Sequence, residues 1–317
     1  MERSARVPQP ALGDAARDAQ RAARRAKVSV REVETVSGLL GVAELISQIW
    51  DAPLVPPMPH DVMRSLAHAG GRVDAAFRDD QLAGACVAIF GPPAEASCYS
   101  LIAGVRPGLE GQGIGLALKL AQRAWALQAG AGRMTWTFDP LLRRNARFNI
   151  TRLGAVVTEY LVDFYGQIAD GINDPETDRL AVTWNLSTPL PASAQPSGRP
   201  SAPVAAEDEP PPVLVAGQGG EPVVNSGTAA ASWADGERGA GTIADGSAKL
   251  TTSTGSAGRL RCWIPDDILA TRRTNPELAR RWRLAVREAL MGALGDGYVV
   301  TGVMDPGWYV LEKPAGR

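Results

Sequence analysis

The sequence predicts a mixed α/β protein: a mostly antiparallel sheet flanked by helices, then a smaller α+β block. Three observations predict this class. Between residues 28 and 186 the apolar pattern switches repeatedly from the two-residue alternation of strands to the three-to-four-residue spacing of helices. Within that block a glycine-dense loop joins a strand to a long amphipathic helix. From 187 to 212 the chain has almost no large apolar residue and many prolines, the composition of an extended, disordered linker, and a second block runs 213–317.

Each element has its own reason. Residues 1–27, rich in Ala and Arg, read as a frayed helix or a tail. A short strand follows at 28–33, then a helix at 41–50 with Val42, Leu45, Ile46 and Ile49 on one face, stopped by the prolines of 53–59. Strands at 73–77 and 82–90 flank Asp79-Asp80, which suits a tight hairpin turn. A strand at 97–105 leads into the helix 114–128, with Ile114, Ala117, Leu118, Ala121, Trp125 and Gln128 on one side and Lys119, Gln122 and Arg123 on the other. Gly130 and Gly132 end it. A strand at 133–138, a short helix at 144–153 and strands at 156–162 and 180–186 complete the block.

In the second block the Gly/Ser/Thr/Ala-rich part up to about 258 is expected to be only loosely ordered. A strand follows at 259–264. Asn275 as N-cap and Pro276 at the first helical position open a helix with Leu278, Trp282, Ala285, Val286, Ala289, Leu290 and Ala293 on one face. Arg280, Arg281, Arg283 and Arg287 occupy the rest, expected to be chiefly core edge and solvated charge. Strands at 298–304 and 308–312 flank the turn Asp305-Pro306-Gly307. This unit is too small to stand alone and is expected to pack on the first block.

Composition excludes several classes. With 317 residues the prior is about two domains. Lys+Arg 33 against Asp+Glu 34 is neither a basic nucleic-acid scaffold nor an acidic solvating chain. No apolar run is long enough for a membrane span, and residues 1–27 lack the apolar core of a secretory signal, so a cytoplasmic protein without nucleic-acid or membrane partners is expected. Cys86, Cys98 and Cys262 are far apart and odd in number, and with His60 and His68 they make neither a disulfide framework nor a metal-ligand spacing. Chemistry without a metal is expected.

The most informative stretch is Val105-Arg-Pro-Gly-Leu-Glu110-Gly111-Gln112-Gly113-Ile114-Gly115. A strand, a glycine-dense loop and a helix N-terminus in sequence suit an anion: backbone N–H groups converge and the helix dipole adds positive charge. A Walker loop would need Gly-Lys-Ser/Thr, but Gly115 is followed by Leu116. A dinucleotide fingerprint from Gly113 would need Gly or Ala at Leu118.

The loop resembles the acyl-CoA pyrophosphate loop of the Gcn5-related N-acetyltransferases (GNAT), Val-x-Pro-x-x-Arg-Gly-x-Gly-Ile-Gly, at Val105, Pro107, Gly111, Gly113, Ile114 and Gly115. Glu110 departs from the usual Arg or Gln, and a carboxylate adds no charge-assisted bond to phosphate. A second element, an Asn followed by Leu-Gly-Phe, is matched by Asn145 and Leu153-Gly154-Ala155. The family's tyrosine falls on Ile150. Trp136-Thr-Phe-Asp-Pro-Leu, Arg144-Asn145, Phe148-Asn149, Phe164-Tyr-Gly and Thr177-Asp-Arg179 resemble a bacterial branch of this superfamily with a C-terminal extension. The resemblance covers about 28–186 and implies a GNAT-like sheet.

It also implies roles. Backbone groups of Ala103, Gly104 and Val105 would hold the pantetheine, and the loop from Glu110 through Gly111, Gln112, Gly113 and Ile114 to Gly115 the pyrophosphate, with Asn145 touching the cofactor. Acetyl-CoA, or another acyl-CoA, is the implied co-substrate and a small-molecule amine the acceptor, attacking the thioester directly with no covalent nucleophile. Asp139 at a strand end and Tyr165 are the acid–base candidates; Asp139 equally suits a turn cap before Pro140, and Tyr165 a packed aromatic. Arg179 and Asn149 are candidates for the acceptor, Arg179 through a bidentate carboxylate pair or, alternatively, in a surface pair with Asp178. A homodimer is left open, and the rival reading is a non-catalytic acyl-CoA or ligand-binding module on the same fold.

Overall fold

The computed structural model describes residues 9–52, 56–166, 176–191, 209–225 and 258–314. Residues 192–208 of the linker expected at 187–212, and 226–257 of the stretch expected to be only loosely ordered, lie outside the described residues. The chain forms two compact units, Met1–Trp136 with Thr183–Pro189, and Thr137–Val182 with Leu190–Arg317. This division runs through the 28–186 block, between Trp136 and Thr137 and between Val182 and Thr183.

The first sheet has seven strands in the order β1-β2-β3-β4-β5-β7-β6. They are β1 (Ser29–Glu32), β2 (Arg72–Arg78), β3 (Gln81–Phe90), β4 (Ser97–Val105), β5 (Arg133–Phe138), β6 (Val156–Leu161) and β7 (Arg179–Asn185). β1 to β4 pair antiparallel in succession and β4 pairs parallel with β5, the mixed and mostly antiparallel arrangement the periodicities predict.

In the first unit, α1 (Gln9–Ala26) precedes β1; α2 (Val36–Ile49) and α3 (His60–His68) lie between β1 and β2; and α4 (Ile114–Gln128) joins β4 to β5. α2 begins earlier than its apolar face suggests, because the Thr35 hydroxyl accepts from Gly38 N at 3.2 Å and caps it. α3, unexpected from the sequence, is short and buries only Met63. Leu39, Val42, Leu45, Ile46 and Met63 pack with Val73, Ala75, Ala85 and Val87 into one core.

The residues expected on the solvent side of α4 are inside. Lys119, Gln122 and Arg123 are all buried, because the sheet covers one side of this helix and α1 another. On α1, Ala15, Ala22 and Ala26 share a face and are buried. Asp18 of α1 reaches Arg123 Nη1 at 3.0 Å, while Arg123 also donates to the carbonyls of Leu186 at 2.8 Å and Thr188 at 3.1 Å.

The second unit contains α5 (Arg143–Ala146), a π-helical turn (Arg147–Arg152), α6 (Ile268–Thr274), α7 (Pro276–Gly295) and a five-stranded sheet. Its order is β11-β12-β10-β8-β9, from β8 (Pro212–Ala216), β9 (Pro222–Val224), β10 (Arg259–Trp263), β11 (Val299–Met304) and β12 (Trp308–Glu312). The hairpin β8–β9 corrects the expectation of loose order for residues 213–225: Val213 and Leu214 are fully buried, and β8 pairs parallel to β10. Asn275 caps α7 by accepting from Leu278 N at 3.0 Å, with Pro276 in the first turn, as the sequence signals. The C-terminal strands bind the 137–182 part of this unit: Thr151 Oγ1 accepts from Val303 N at 3.1 Å, and Tyr309 donates to the Pro140 carbonyl at 2.8 Å. The expected single helix at 144–153 is one α-turn followed by the π turn.

Candidate functional site

The predicted residues fall into both units. In the first unit, β4 runs directly into the loop 106–113 and α4. Gly113 is the N-cap of α4 at φ +87° with no side chain to cap it, so the helix's first amides keep no partner from the cap. Gly111 is also left-handed, φ +76°. Among the described residues no protein acceptor takes the main-chain N–H groups of Gly111, Gln112, Gly113, Ile114 or Gly115. A set of convergent donors at a helix N-terminus, uncluttered by side chains, fits a diphosphate.

The Glu110 carboxylate accepts from Gly108 N at 2.7 Å, earlier in the loop. Gln112 is held from two sides: Arg78 Nη1 donates to its Oε1 at 2.6 Å, and its Nε2 approaches the Gly108 carbonyl at 3.4 Å. Arg78, at the end of β2, also donates through Nη2 to the Ala26 carbonyl at the end of α1, 2.7 Å. Sequence reasoning passed over Arg78 because it lies far from the loop along the chain and sits in an ordinary hairpin.

β4 itself presents an open edge. β3 pairs along its length as far as Gly84 with Val105, with one extra residue, Leu101, bulged between the pairs Val87–Ile102 and Ala88–Ser100. On the other side, the ladder to β5 covers only Ser97–Arg133, Cys98–Met134 and Tyr99–Thr135 among the described residues. Ala103, Gly104 and Val105 therefore follow the point where pairing with β5 stops. Gly104 is required there: a Cβ would lie 2.8 Å from Ile49 Cδ1 and 3.0 Å from Trp50 Cζ3. The end of α2 thus places an exposed indole against this strand.

Beneath the last paired residues of β4 lies a buried polar group. Lys119 Nζ donates to Ser100 Oγ at 2.7 Å and sits 4.0 Å from the Trp136 ring centroid; Ser100 Oγ donates to Gln122 Oε1 at 3.0 Å. Burial lowers the lysine from its ordinary range to about 8.

In the second unit, Asp139 directly follows β5 and is 8% exposed. Arg283 holds it bidentately at 2.7 and 2.8 Å, Arg272 adds a bond at 2.7 Å, and its Oδ1 accepts from Leu141 N at 2.9 Å. Burial by itself would raise this carboxyl, but Arg283, then Arg272 and Arg179, hold it well below the usual carboxylate range. Such a carboxylate carries no proton near neutrality and is a weak base. The turn-cap role before Pro140 is realised together with the ion pairs.

Tyr165 is half exposed, and the Arg179 guanidinium lies 5.0 Å from its ring centroid, so these two candidates come together. Arg179 does not pair with the Asp178 side chain. It donates to the Asp178 carbonyl at 2.9 Å, while the fully buried Asp178 carboxylate takes Arg287 at 2.7 and 2.8 Å and the Tyr160 hydroxyl at 2.7 Å. Burial pushes Asp178 up, and the bonds from Arg287, Tyr160 and the Asp163 amide more than offset it, leaving the carboxyl lowered. Arg280 meets Glu176 at 2.8 Å. Of the α7 arginines expected in solvent, Arg280, Arg283 and Arg287 are therefore paired, with Arg283 fully buried, while Arg281 is exposed. Asn145 is half-buried on α5, and Asn149 is buried in the π turn, where its carbonyl accepts from Ala155 N at 3.0 Å. Ile150 is buried too.

Burial pushes Cys98 up to about 12 and raises Cys86 and Cys262 as well, so none is a thiolate at neutral pH. Among the described residues no group of His, Cys, Asp and Glu is arranged to hold a metal ion, and no helix is long and apolar enough to cross a membrane.

No family model matches the sequence, and no curated protein matches it. Solved structures do. An acetyltransferase of the GNAT family from Desulfovibrio desulfuricans is 18% identical, covering 50% of this chain and 99% of its own, with a TM-score of 0.41. The ribosomal-protein-S18-alanine N-acetyltransferase of Escherichia coli is 13% identical over 51% of this chain and 96% of its own, TM-score 0.42. An aminoglycoside acetyltransferase from an uncultured soil metagenomic sample, in complex with sisomicin, is 12% identical over 36% of this chain and 80% of its own, TM-score 0.33. Over about half its length, then, the chain is similar to solved acetyltransferases that include GNAT-family members.

Proposed function

We propose that the protein is an acyl-CoA-dependent N-acyltransferase of the GNAT type, using the cytoplasmic acyl-CoA pool to acylate a small-molecule amine, with 28–186 as its catalytic domain and 213–317 as an appended domain. The observation that carries this reading is the junction of β4, the loop and α4: five consecutive residues whose amides face no protein acceptor among the described residues, behind a strand edge whose ladder to β5 is described only as far as Tyr99. The loop amides of Gly111 to Gly115 hold the diphosphate, and the backbone of Ala103, Gly104 and Val105 the pantetheine. Asn145 contributes to cofactor binding.

The reaction is direct transfer of an acetyl or larger acyl group. The neutral amine forms a bond to the thioester carbon, the C–S bond breaks, and the proton lost by the amine is delivered to the departing thiolate. An amide of β4, Gly104 or Val105, polarises the thioester carbonyl. Tyr165 carries the proton, with Arg179 and Asn149 facing the acceptor; Asp139, tied to two guanidiniums, orders its surroundings rather than exchanging protons.

The pairing of Asp139 and the buried Ile150 favour a second reading, a non-catalytic acyl-CoA-binding module. Calorimetry with acetyl-CoA, then turnover on a panel of amines, separates the two. Micromolar binding abolished by Gly113→Asp supports the site. Turnover reduced at least tenfold by Tyr165→Phe, with KM for acetyl-CoA unchanged, supports the enzyme. Binding without turnover on any amine favours the module, and no binding of any acyl-CoA removes both.

A further inference from the structure

Resting on the acyl-CoA reading of the loop, we propose that Arg78 supplies the positive charge of the diphosphate cradle that position 110 does not, acting through Gln112 and from the far side of the loop. At Glu110 the chain carries a carboxylate, which repels phosphate instead of binding it. Arg78 brings a side-chain cation to the loop: its Nη1 donates to Gln112 Oε1 at 2.6 Å. Its guanidinium is fixed in place by the Ala26 carbonyl at 2.7 Å. Its Nε is buried without a partner, so its charge is little hydrated on that side.

The arrangement also gives α1 a purpose. The end of α1 abuts the loop, since a Cβ on Gly113 would lie 3.6 Å from Ala26 Cβ. The anchor for Arg78 is the Ala26 carbonyl at the C-terminal end of that helix, where the dipole favours a cation. α1 is held in turn by Asp18 on Arg123 of α4. Helix, guanidinium and Gln112 thus form a chain of contacts that ends at the diphosphate cradle, and the carboxylate of Glu110 is drawn away onto Gly108. Arg78 is a positioning residue for Gln112 and an electrostatic one for the phosphates.

Two donors separate charge from scaffolding: acetyl-CoA carries the phosphates, and S-acetylpantetheine has the same thioester without them. Arg78→Gln is expected to weaken acetyl-CoA binding about tenfold, the scale of one charge-assisted contact, and to leave the KM for S-acetylpantetheine unchanged. Arg78→Lys should keep most of the affinity. In the Arg78→Gln background, Glu110→Arg should restore acetyl-CoA binding, because it returns a cation to the loop without repairing the Ala26 contact. Equal loss for both donors, or no recovery with Glu110→Arg, overturns the proposal in favour of a purely structural arginine. If Gly113→Asp abolishes acetyl-CoA binding while Arg78→Gln changes nothing, only this inference falls. If the wild-type chain binds no acetyl-CoA, the functional reading falls with it.

Discussion

Replacing Lys119 by methionine should stabilise the first unit at neutral pH, even though it deletes a cation–π contact and a hydrogen bond. The ammonium is 4% exposed, and its hydrogen-bond partners are a hydroxyl and a thioether, with an aromatic face alongside. Burial lowers it to about 8 against an ordinary ~10.4, which corresponds to roughly 3 kcal/mol of penalty for keeping it charged. Losing the Trp136 contact offsets about a third to a half of that, so a net gain of about 1–2 kcal/mol is expected at pH 7. The sign follows from linkage. With the folded value below the unfolded one, the unfolded chain binds the extra proton between about pH 8 and 10.4. The penalty is complete below pH 8 and fades as pH rises through this window. Urea unfolding at pH 7 and pH 9.5 reads both effects. Wild-type stability should rise relative to Lys119→Met across the interval, and the variant should lead at pH 7. Groups common to both proteins cancel in that difference. A variant less stable at pH 7, with no narrowing of the gap by pH 9.5, would refute the picture of an unpaired, strained charge.

Three further outcomes follow from the geometry. Asp139→Asn should destabilise the second unit by about 3–5 kcal/mol in thermal or denaturant unfolding, because Arg283 is left buried with its countercharge gone; a stable but slow enzyme would instead restore Asp139 as a proton carrier. Asp139 and Asp178 are both held below their unfolded values, so their stabilisation is complete above about pH 4 and is lost as pH falls through the folded values; tryptophan fluorescence from pH 5 down to 2 should show the wild type losing structure over a range where Asp178→Asn changes little. Gly104→Val should weaken acetyl-CoA binding and lower the melting temperature together, since its side chain would collide with Ile49 and Trp50; a variant with wild-type affinity would argue against β4 as the pantetheine strand.

Much of this protein was legible from its residues alone. β4, α4, β5 and β12 fall where their periodicity puts them, because each carries a complete local signal: alternation ended by a glycine, a helix opened by a glycine-rich turn, a hairpin around Asp305-Pro306-Gly307. The glycine-dense junction proposed as a diphosphate cradle was legible for the same reason, since consecutive amides at a strand-to-helix junction are a property of a dozen neighbouring residues. Short elements such as α3, β8 and β9 carry too few turns or too few alternations to announce themselves, and it is their packing that forms them.

What the tertiary structure decided is the fate of the charges. Along α4 the sequence distinguishes an apolar side from a polar one, and by itself that pattern points Lys119, Gln122 and Arg123 to water. Only the placement of α1 on that helix, with Asp18 facing Arg123, and of Ser100 beneath Lys119, turns that side inward. The same holds for Arg283 on α7, whose partner Asp139 lies far away in the sequence, and for Arg78 beside Gln112. Periodicity reports which residues share a face, since neighbours three and four apart are fixed by helix geometry. What that face meets depends on contacts between segments distant along the chain, and those are set by the whole fold.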